Sequence, residues 1–429
     1  MHEGSSPAWV DNAIWWHVYP LGFLGADPTG VIRKPGRTVA AIEPWLDYVL
    51  DLGLNGIVLA PIFESETHGY DTTDYFQIDT RLGTEADLVS LVAAARGRGI
   101  RVLLDGVFNH VGRSFRSPAP TDGDLLERTS TGEVVTFEGH EGLVVLNHDD
   151  ERVADLVVEA MAYWLDRGID GWRLDAAYAV PPAFWARVLP RVRERHPDAY
   201  FMGEYLQADY TEVVREGRLD SATQYELWQA IWHSIEDENF FELDWALTRH
   251  NGFLETFVPY TFIGNHDVTR IASQITDARH HPHALVLLLV LGGTPSIYYG
   301  DERGLRAVKE TRWGGDDEIR PVYPDDPADF AAGGETFRLH QELIGLRRRN
   351  PWLVRATTSA VICTNTQYVI EVVADEGRLF VALNLSDEAL PARIAQADLV
   401  AGHATETAGG WQVASHGWAV WQETPGERD

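Results

Sequence analysis

A chain of 429 residues, 45% hydrophobic and 23% charged, has room for one large α/β domain and a smaller companion. Its 65 acidic against 35 basic residues give a formal charge of −30, which argues against binding to nucleic-acid backbones or anionic membranes, since both need clustered Lys and Arg. The single cysteine, Cys363, excludes an internal disulfide and any multi-cysteine metal site.

Residues 1–10 lack a basic stretch followed by an apolar one, so no signal peptide is expected. The apolar run 284–291 is too short to span a bilayer, and the expectation is a cytoplasmic protein. Along the chain, short apolar runs of buried-strand type fall at 14–19, 56–63, 101–108, 168–175, 200–204, 222–227, 259–264 and 295–300. Helical patterns lie between them, among others at 85–98, 150–166 and 183–196. Eight strand–helix units predict an α/β fold, a (β/α)8 TIM barrel. An insertion at 111–147, rich in Gly, Ser, Pro and Thr, follows the third strand and is expected to shape a cleft. After Asn350-Pro351, alternating runs at 361–364, 368–373, 379–385, 411–413 and 418–422 predict a C-terminal antiparallel β-sandwich. The expected domains are a barrel (1–110 and 148–350), an insertion subdomain (111–147) and a β domain (351–429).

Four acidic stretches each end an apolar run: Asp105-Gly-Val-Phe-Asn109-His110, Gly171-Trp-Arg173-Leu-Asp175, Gly203-Glu204 and Phe262-Ile-Gly-Asn265-His266-Asp267. An unpaired buried carboxylate costs several kcal/mol, so four such placements need partners or a purpose. A parallel barrel opens its active site at the carboxyl ends of its strands, which supplies that purpose. Asp175 and Glu204 end adjacent predicted strands, which would bring two carboxylates close together. Arg173, two residues from Asp175 on the same strand face, is expected to hold Asp175 ionised, and Phe201, Met202 and Tyr205 to keep Glu204 protonated.

In this order the stretches resemble the signatures of the α-amylase family, glycoside hydrolase family 13. His68-Gly-Tyr70-Asp71 after the second strand, and Gly292-Gly-Thr-Pro295 leading into Tyr298-Tyr-Gly-Asp-Glu302, strengthen the likeness. The resemblance implies Asp175 as nucleophile, Glu204 as acid and then base, and Asp267 as the third carboxylate, on sugar hydroxyls. It implies substrate binding by His110, His266 and the aromatic platform Tyr70, with Arg173 and Asp105 supporting the site. The reading is a retaining α-glycoside hydrolase acting on α-1,4-linked gluco-oligosaccharides. Left open beside it are an α-glucanotransferase, action on α-1,6 bonds, sucrose or trehalose, and a non-catalytic glucan-binding relative.

The run Leu146-Asn-His-Asp-Asp150 is similar to the neopullulanase and cyclomaltodextrinase side of the family, whose extra N-terminal domain is expected to be missing here. In the family Asn109 is often a calcium ligand. Two departures speak against that site: Ala176-Ala-Tyr178-Ala179 replaces a Lys-His pair, and 143–147 lacks a Pro-Asp. No metal is therefore assigned and no cofactor is expected to be required, with calcium as the alternative. The expected partner is a small oligosaccharide, with no nucleic acid and no membrane; the oligomeric state is open. Trp228, Trp232 and Trp313 are placed at the cleft border or in ordinary packing, and His280-His281-Pro-His283 is read as a solvated helix start without nearby carboxylates.

Overall fold

A computed structural model of the protein describes residues 6–116, 125–312, 314–330 and 334–424. Eight short strands make one parallel sheet: β1 (Trp15–Val18), β2 (Gly56–Leu59), β3 (Arg101–Gly106), β4 (Gly171–Leu174), β5 (Tyr200–Gly203), β6 (Ser221–Ala222), β7 (Tyr260–Phe262) and β8 (Thr294–Tyr298). With the intervening helices this is the (β/α)8 barrel. By internal packing the chain divides into two compact units, one of Met1–Val10, Trp15–Thr223 and Arg320–Ala332, the other of Asp11–Ile14, Gln224–Ile319 and Gly333–Asp429.

In the first unit β1 to β6 lie side by side in chain order. Apart from exposed Arg101 their residues are buried, as parallel strands under helices require. Register is set by close approach at one glycine: a Cβ on Gly171 would stand 2.1 Å from the Tyr200 carbonyl oxygen. Trp15, Trp16, Trp45, Trp164, Trp172 and Trp185 are fully buried, and Trp15 stacks on Tyr200 with ring centroids 6.1 Å apart. Thr84 and Asp87 form a capping box at the start of helix Glu85–Gly97, and Asp150 caps helix Glu151–Leu165. The insertion starts and ends in an antiparallel pair, His110–Gly112 with Leu143–Val145.

In the second unit β7 pairs with β8, and the helices include Tyr225–Glu236, Phe240–Leu254, His281–Val290 and Glu335–Arg349. Its C-terminal part is a five-stranded antiparallel sheet, in order Thr357–Cys363, Gln367–Ala374, Gly377–Asn384, Trp418–Glu423 and Ala397–Gly402, and a three-stranded sheet of Leu390–Ala392, Gly410–Val413 and Thr405–Thr407. One apolar cluster draws Val369, Ala382, Ala419 and Trp421 from the larger sheet and Leu390, Ala392 and Val413 from the smaller, which is the sandwich core. Three strands here, 390–392, 397–402 and 405–407, lie outside the expected runs: Leu390–Ala392 is only three residues around a proline, Ala397–Gly402 is mostly half-buried, and Thr405–Thr407 is polar and exposed.

The sixth strand is shorter than expected. Only Ser221–Ala222 pairs with β5; Gln224 then accepts the Leu227 N–H at 3.2 Å as an N-cap, and helix Tyr225–Glu236 consumes the rest of the apolar run. Capping by a polar side chain turns a strand-like sequence into a helix start. Among the described residues no helix is long and apolar enough to cross a membrane.

Candidate active site

Within the first unit, Asp105, Arg173, Asp175 and Glu204 form one buried cluster at the carboxyl ends of β3, β4 and β5, each at most 7% exposed. Strand register explains the meeting. Asp105 stands opposite Arg173, and Arg173 opposite Met202. With a side-chain period of two, Asp105, Arg173, Asp175 and Glu204 then share one face. Arg173 Nη1 donates to Asp105 Oδ2 at 2.6 Å and to Asp175 Oδ1 at 3.2 Å, while Nη2 meets Glu204 Oε1 at 2.5 Å. Burial alone would lower the Arg173 guanidinium, but Asp105, Glu204 and Asp175 outweigh it and hold the group well above its ordinary value.

The arrangement differs from expectation at Glu204. Its two oxygens are met by Arg173 and by the Ala176 peptide N–H, which donates to Oε2 at 3.0 Å, rather than by an apolar envelope. Nothing in the sequence announces the Ala176 contact. Ala176 itself stands at φ 44 and ψ 36, a left-handed conformation that alanine seldom takes.

Tyr70 is half-buried in the loop between the hairpin strands Phe63–Ser65 and Thr72–Ile78, and its hydroxyl donates to Asp105 Oδ2 at 3.2 Å. His110 is buried, with Asn109 Nδ2 3.0 Å from its Nδ1 and the Phe137 ring stacked on it at 4.5 Å. Burial pushes the His110 imidazole down to about 4, against a hydrogen bond with the Tyr70 backbone. Phe137 and Glu138 bring the insertion to the loop after β4, where the Tyr178 hydroxyl donates to Glu138 Oε1 at 2.9 Å. Neither residue had a signal, because insertion loops carry no periodicity to read.

The second unit carries the fourth motif. Following β7, Asn265 Nδ2 donates to the Tyr225 hydroxyl and Asn265 Oδ1 accepts the Asp267 N–H, both at 2.8 Å. His266 is fully buried with Nε2 3.0 Å from Asp267 Oδ2, and the Asp267 side chain is one-third exposed. Beside them Arg270 binds Asp301 Oδ1 at 2.9 Å and the carbonyls of Tyr299 and Ile319 at 2.7 Å each. Arg270 was not anticipated; its partner Asp301 lies in the quoted Tyr298-to-Glu302 stretch. Trp228 and Trp232 are half-buried, Trp228 being stacked on Phe262 at 6.3 Å, and Trp313 lies outside the described residues.

The family's calcium site would need six or more oxygens. At Asn109 the peptide oxygen accepts the Leu146 N–H at 3.0 Å and the side-chain amide faces His110. Among the described residues the only convergent group of three His, Cys, Asp or Glu ligands is Asp277, His280 and His416, well away in sequence. At Asn109 these contacts leave the peptide oxygen and the amide nitrogen engaged within the fold, and no chemistry is routed through a metal there.

Asp175 and Glu204 thus stand as paired carboxylates on neighbouring strand ends of a parallel barrel, both held by one arginine. The family model described as the alpha amylase catalytic domain matches residues 17–119 and 130–332, and the chain belongs to the α-amylase family. It is 34% identical over 343 residues to a cyclomaltodextrinase of a Bacillus species, covering 70% of this chain and 60% of that protein. It is 29% identical over 389 residues to a maltogenic alpha-amylase of Bacillus acidopullulyticus, covering 81% and 64%. A solved cyclomaltodextrinase structure matches with a TM-score of 0.81 at 26% identity, over 97% of this chain and 79% of that one. The chain thus spans less than two thirds of the length of these two curated relatives.

Proposed function

We propose that the chain is a retaining α-glycoside hydrolase acting on α-1,4-linked gluco-oligosaccharides. The observation that carries the reading is the contact of one guanidinium, Arg173, with the carboxylates of both Asp175 and Glu204. Their strands are hydrogen-bonded in register, Leu174 opposite Gly203, and adjacent strands lie about 4.8 Å apart. The retaining course is carried by the family resemblance, a retaining pair standing about 5–5.5 Å apart and an inverting pair about 6.5–9.5 Å. The names of the relatives, cyclomaltodextrinase and maltogenic alpha-amylase, support α-glucans as the substrate class.

In the proposed reaction Glu204 takes up a proton as substrate displaces its contact with Arg173, then gives that proton to the departing glycosidic oxygen while Asp175 attacks the anomeric carbon, leaving a β-glycosyl ester on Asp175. Glu204 then takes a proton from water, whose oxygen attacks the same carbon and releases Asp175. Asp267 and His266 are assigned to hydroxyls of the reacting sugar, as is His110, with Tyr70 as the stacking ring and Asp105 and Arg173 as positioning residues. The proposal includes a cytoplasmic site of action and no cofactor in the chemistry, so chelation leaves turnover at moderate temperature unchanged.

The test is the time course of products from maltotetraose, with Asp175→Ala as the blank. Shorter sugars alone support the hydrolase; products longer than the substrate make it a glucanotransferase. No change at all overturns the α-1,4 assignment.

A further inference from the structure

The segment His280-His281-Pro-His283 is not the solvated helix start expected from sequence. His280 is 4% exposed and His283 fully buried. Carboxylates are also near, on both sides of the pair that His280 makes.

His280 precedes helix His281–Val290, and its Nε2 lies 2.9 Å from Nδ1 of His416, 136 residues further on. His416 sits between strands Gly410–Val413 and Trp418–Glu423 at φ 55, a left-handed conformation uncommon for a residue with a Cβ. Its other nitrogen, Nε2, is 2.9 Å from Asp387 Oδ1. An ionised carboxylate only accepts, so Nε2 carries the His416 proton and Nδ1 turns a lone pair toward His280. Asp277 completes the group: it caps the turn through the Arg279 N–H at 2.9 Å, and hydrogen bonds from the Arg279 side chain hold its carboxyl well below the usual range. One ligand atom from each of Asp277, His280 and His416 lies within 4.8 Å of the others.

We propose that Asp277, His280 and His416 form a binding site for a divalent cation of the zinc type, with Asp387 orienting His416. Two imidazole nitrogens and one carboxylate favour zinc and its neighbours over calcium or magnesium, which want oxygen alone. Zinc bonds of about 2.0–2.2 Å in a tetrahedron set ligand atoms roughly 3.3 Å apart, so the two rings must part slightly and turn toward a common point, and Asp277 must swing from Arg279 toward them. The Asp387–His416 contact is the carboxylate–histidine arrangement that orients metal-ligating imidazoles. On binding, His280 changes tautomer: Nε2 gives its proton to solvent while Nδ1 takes one up, so the ring stays neutral with Nε2 free for the ion, and water fills the fourth position. The ion would tie a helix start to a loop 136 residues away, favouring the folded chain by long-loop closure and by mass action.

The test is titration of the chelator-treated, dialysed full chain with cobalt(II), followed by competition with zinc. Expected are one equivalent of cobalt with the intense visible bands of tetrahedral coordination, displacement by zinc, and a higher Tm with zinc present. His416→Gln should abolish the bands. Asp387→Asn, at a side chain 97% exposed and so safe for folding, should weaken binding about 10–100-fold. Absence of bands and of any Tm change in the unaltered chain overturns the site, as do bands that persist undiminished in both variants.

Discussion

Nη2 of Arg173 meets Oε1 of Glu204 at 2.5 Å, closer than the 3.2 Å that separates Nη1 from Asp175 on the same strand. The guanidinium is therefore shared across β3, β4 and β5 and is not the private partner of Asp175. Arg173→Met should leave Asp105, Asp175 and Glu204 buried without their cation. Breaking a buried pair costs about 3–5 kcal/mol, so the urea midpoint should fall accordingly and turnover with it. Arg173→Lys keeps the charge but loses the fork, and its losses should be intermediate. A methionine variant as stable as the parent would show that the cluster is not held this way.

Ala176 stands at φ 44, and its N–H donates to Glu204. Glycine takes that conformation without the Cβ penalty of about 1–2 kcal/mol, at the expense of a more flexible unfolded chain. Ala176→Gly is expected to leave stability unchanged or raise it by up to about 1 kcal/mol, with turnover retained. A clear drop in Tm would contradict the strained conformation.

Tyr70 offers both a hydroxyl to Asp105 and, in the proposed function, a ring to the sugar. Tyr70→Phe removes one hydrogen bond worth about 1 kcal/mol, so kcat/KM should fall less than about tenfold. Tyr70→Ala removes the ring as well and should fall much further. Equal losses in the two variants would assign the whole effect to the hydroxyl.

His250 and His340 are fully buried, and burial pushes each imidazole down to about 4. An unfolded histidine titrates near 6.5, so between pH 6.5 and 4 the unfolded chain binds more protons than the folded one. Stability from these groups is complete above pH 6.5 and falls as pH drops toward 4, by about 1.4 kcal/mol per pH unit for each proton taken up. In His340→Gln the slope of unfolding free energy against pH in this window should lessen by one such proton. An unchanged slope would contradict a neutral, buried His340.

The barrel strands were legible because parallel strands buried on both faces are continuous apolar runs, and each charged motif does stand at a strand end, as Asp175 does after Leu174. What the sequence hid is register. Arg173 was assigned to Asp175 by its spacing along one strand, while its closest partners, Asp105 and Glu204, come from strands 68 positions away and 31 positions away. Gln224 shows a second limit, since a capping side chain inside an apolar run reads as strand until the helix is seen. The histidines after Arg279 mark a third: His280 looked solvated because its partner His416 lies in a different part of the chain.

In the proposed reaction Asp175 forms a covalent glycosyl ester. The most direct measurement is mass spectrometry of the protein, and of its peptides, after incubation with a 5-fluoro α-maltosyl fluoride, whose ester should hydrolyse slowly. The account predicts one maltosyl adduct per chain on the peptide containing Asp175, absent in Asp175→Ala. An adduct on another carboxylate, or rapid turnover releasing the β anomer with no adduct at all, would contradict it.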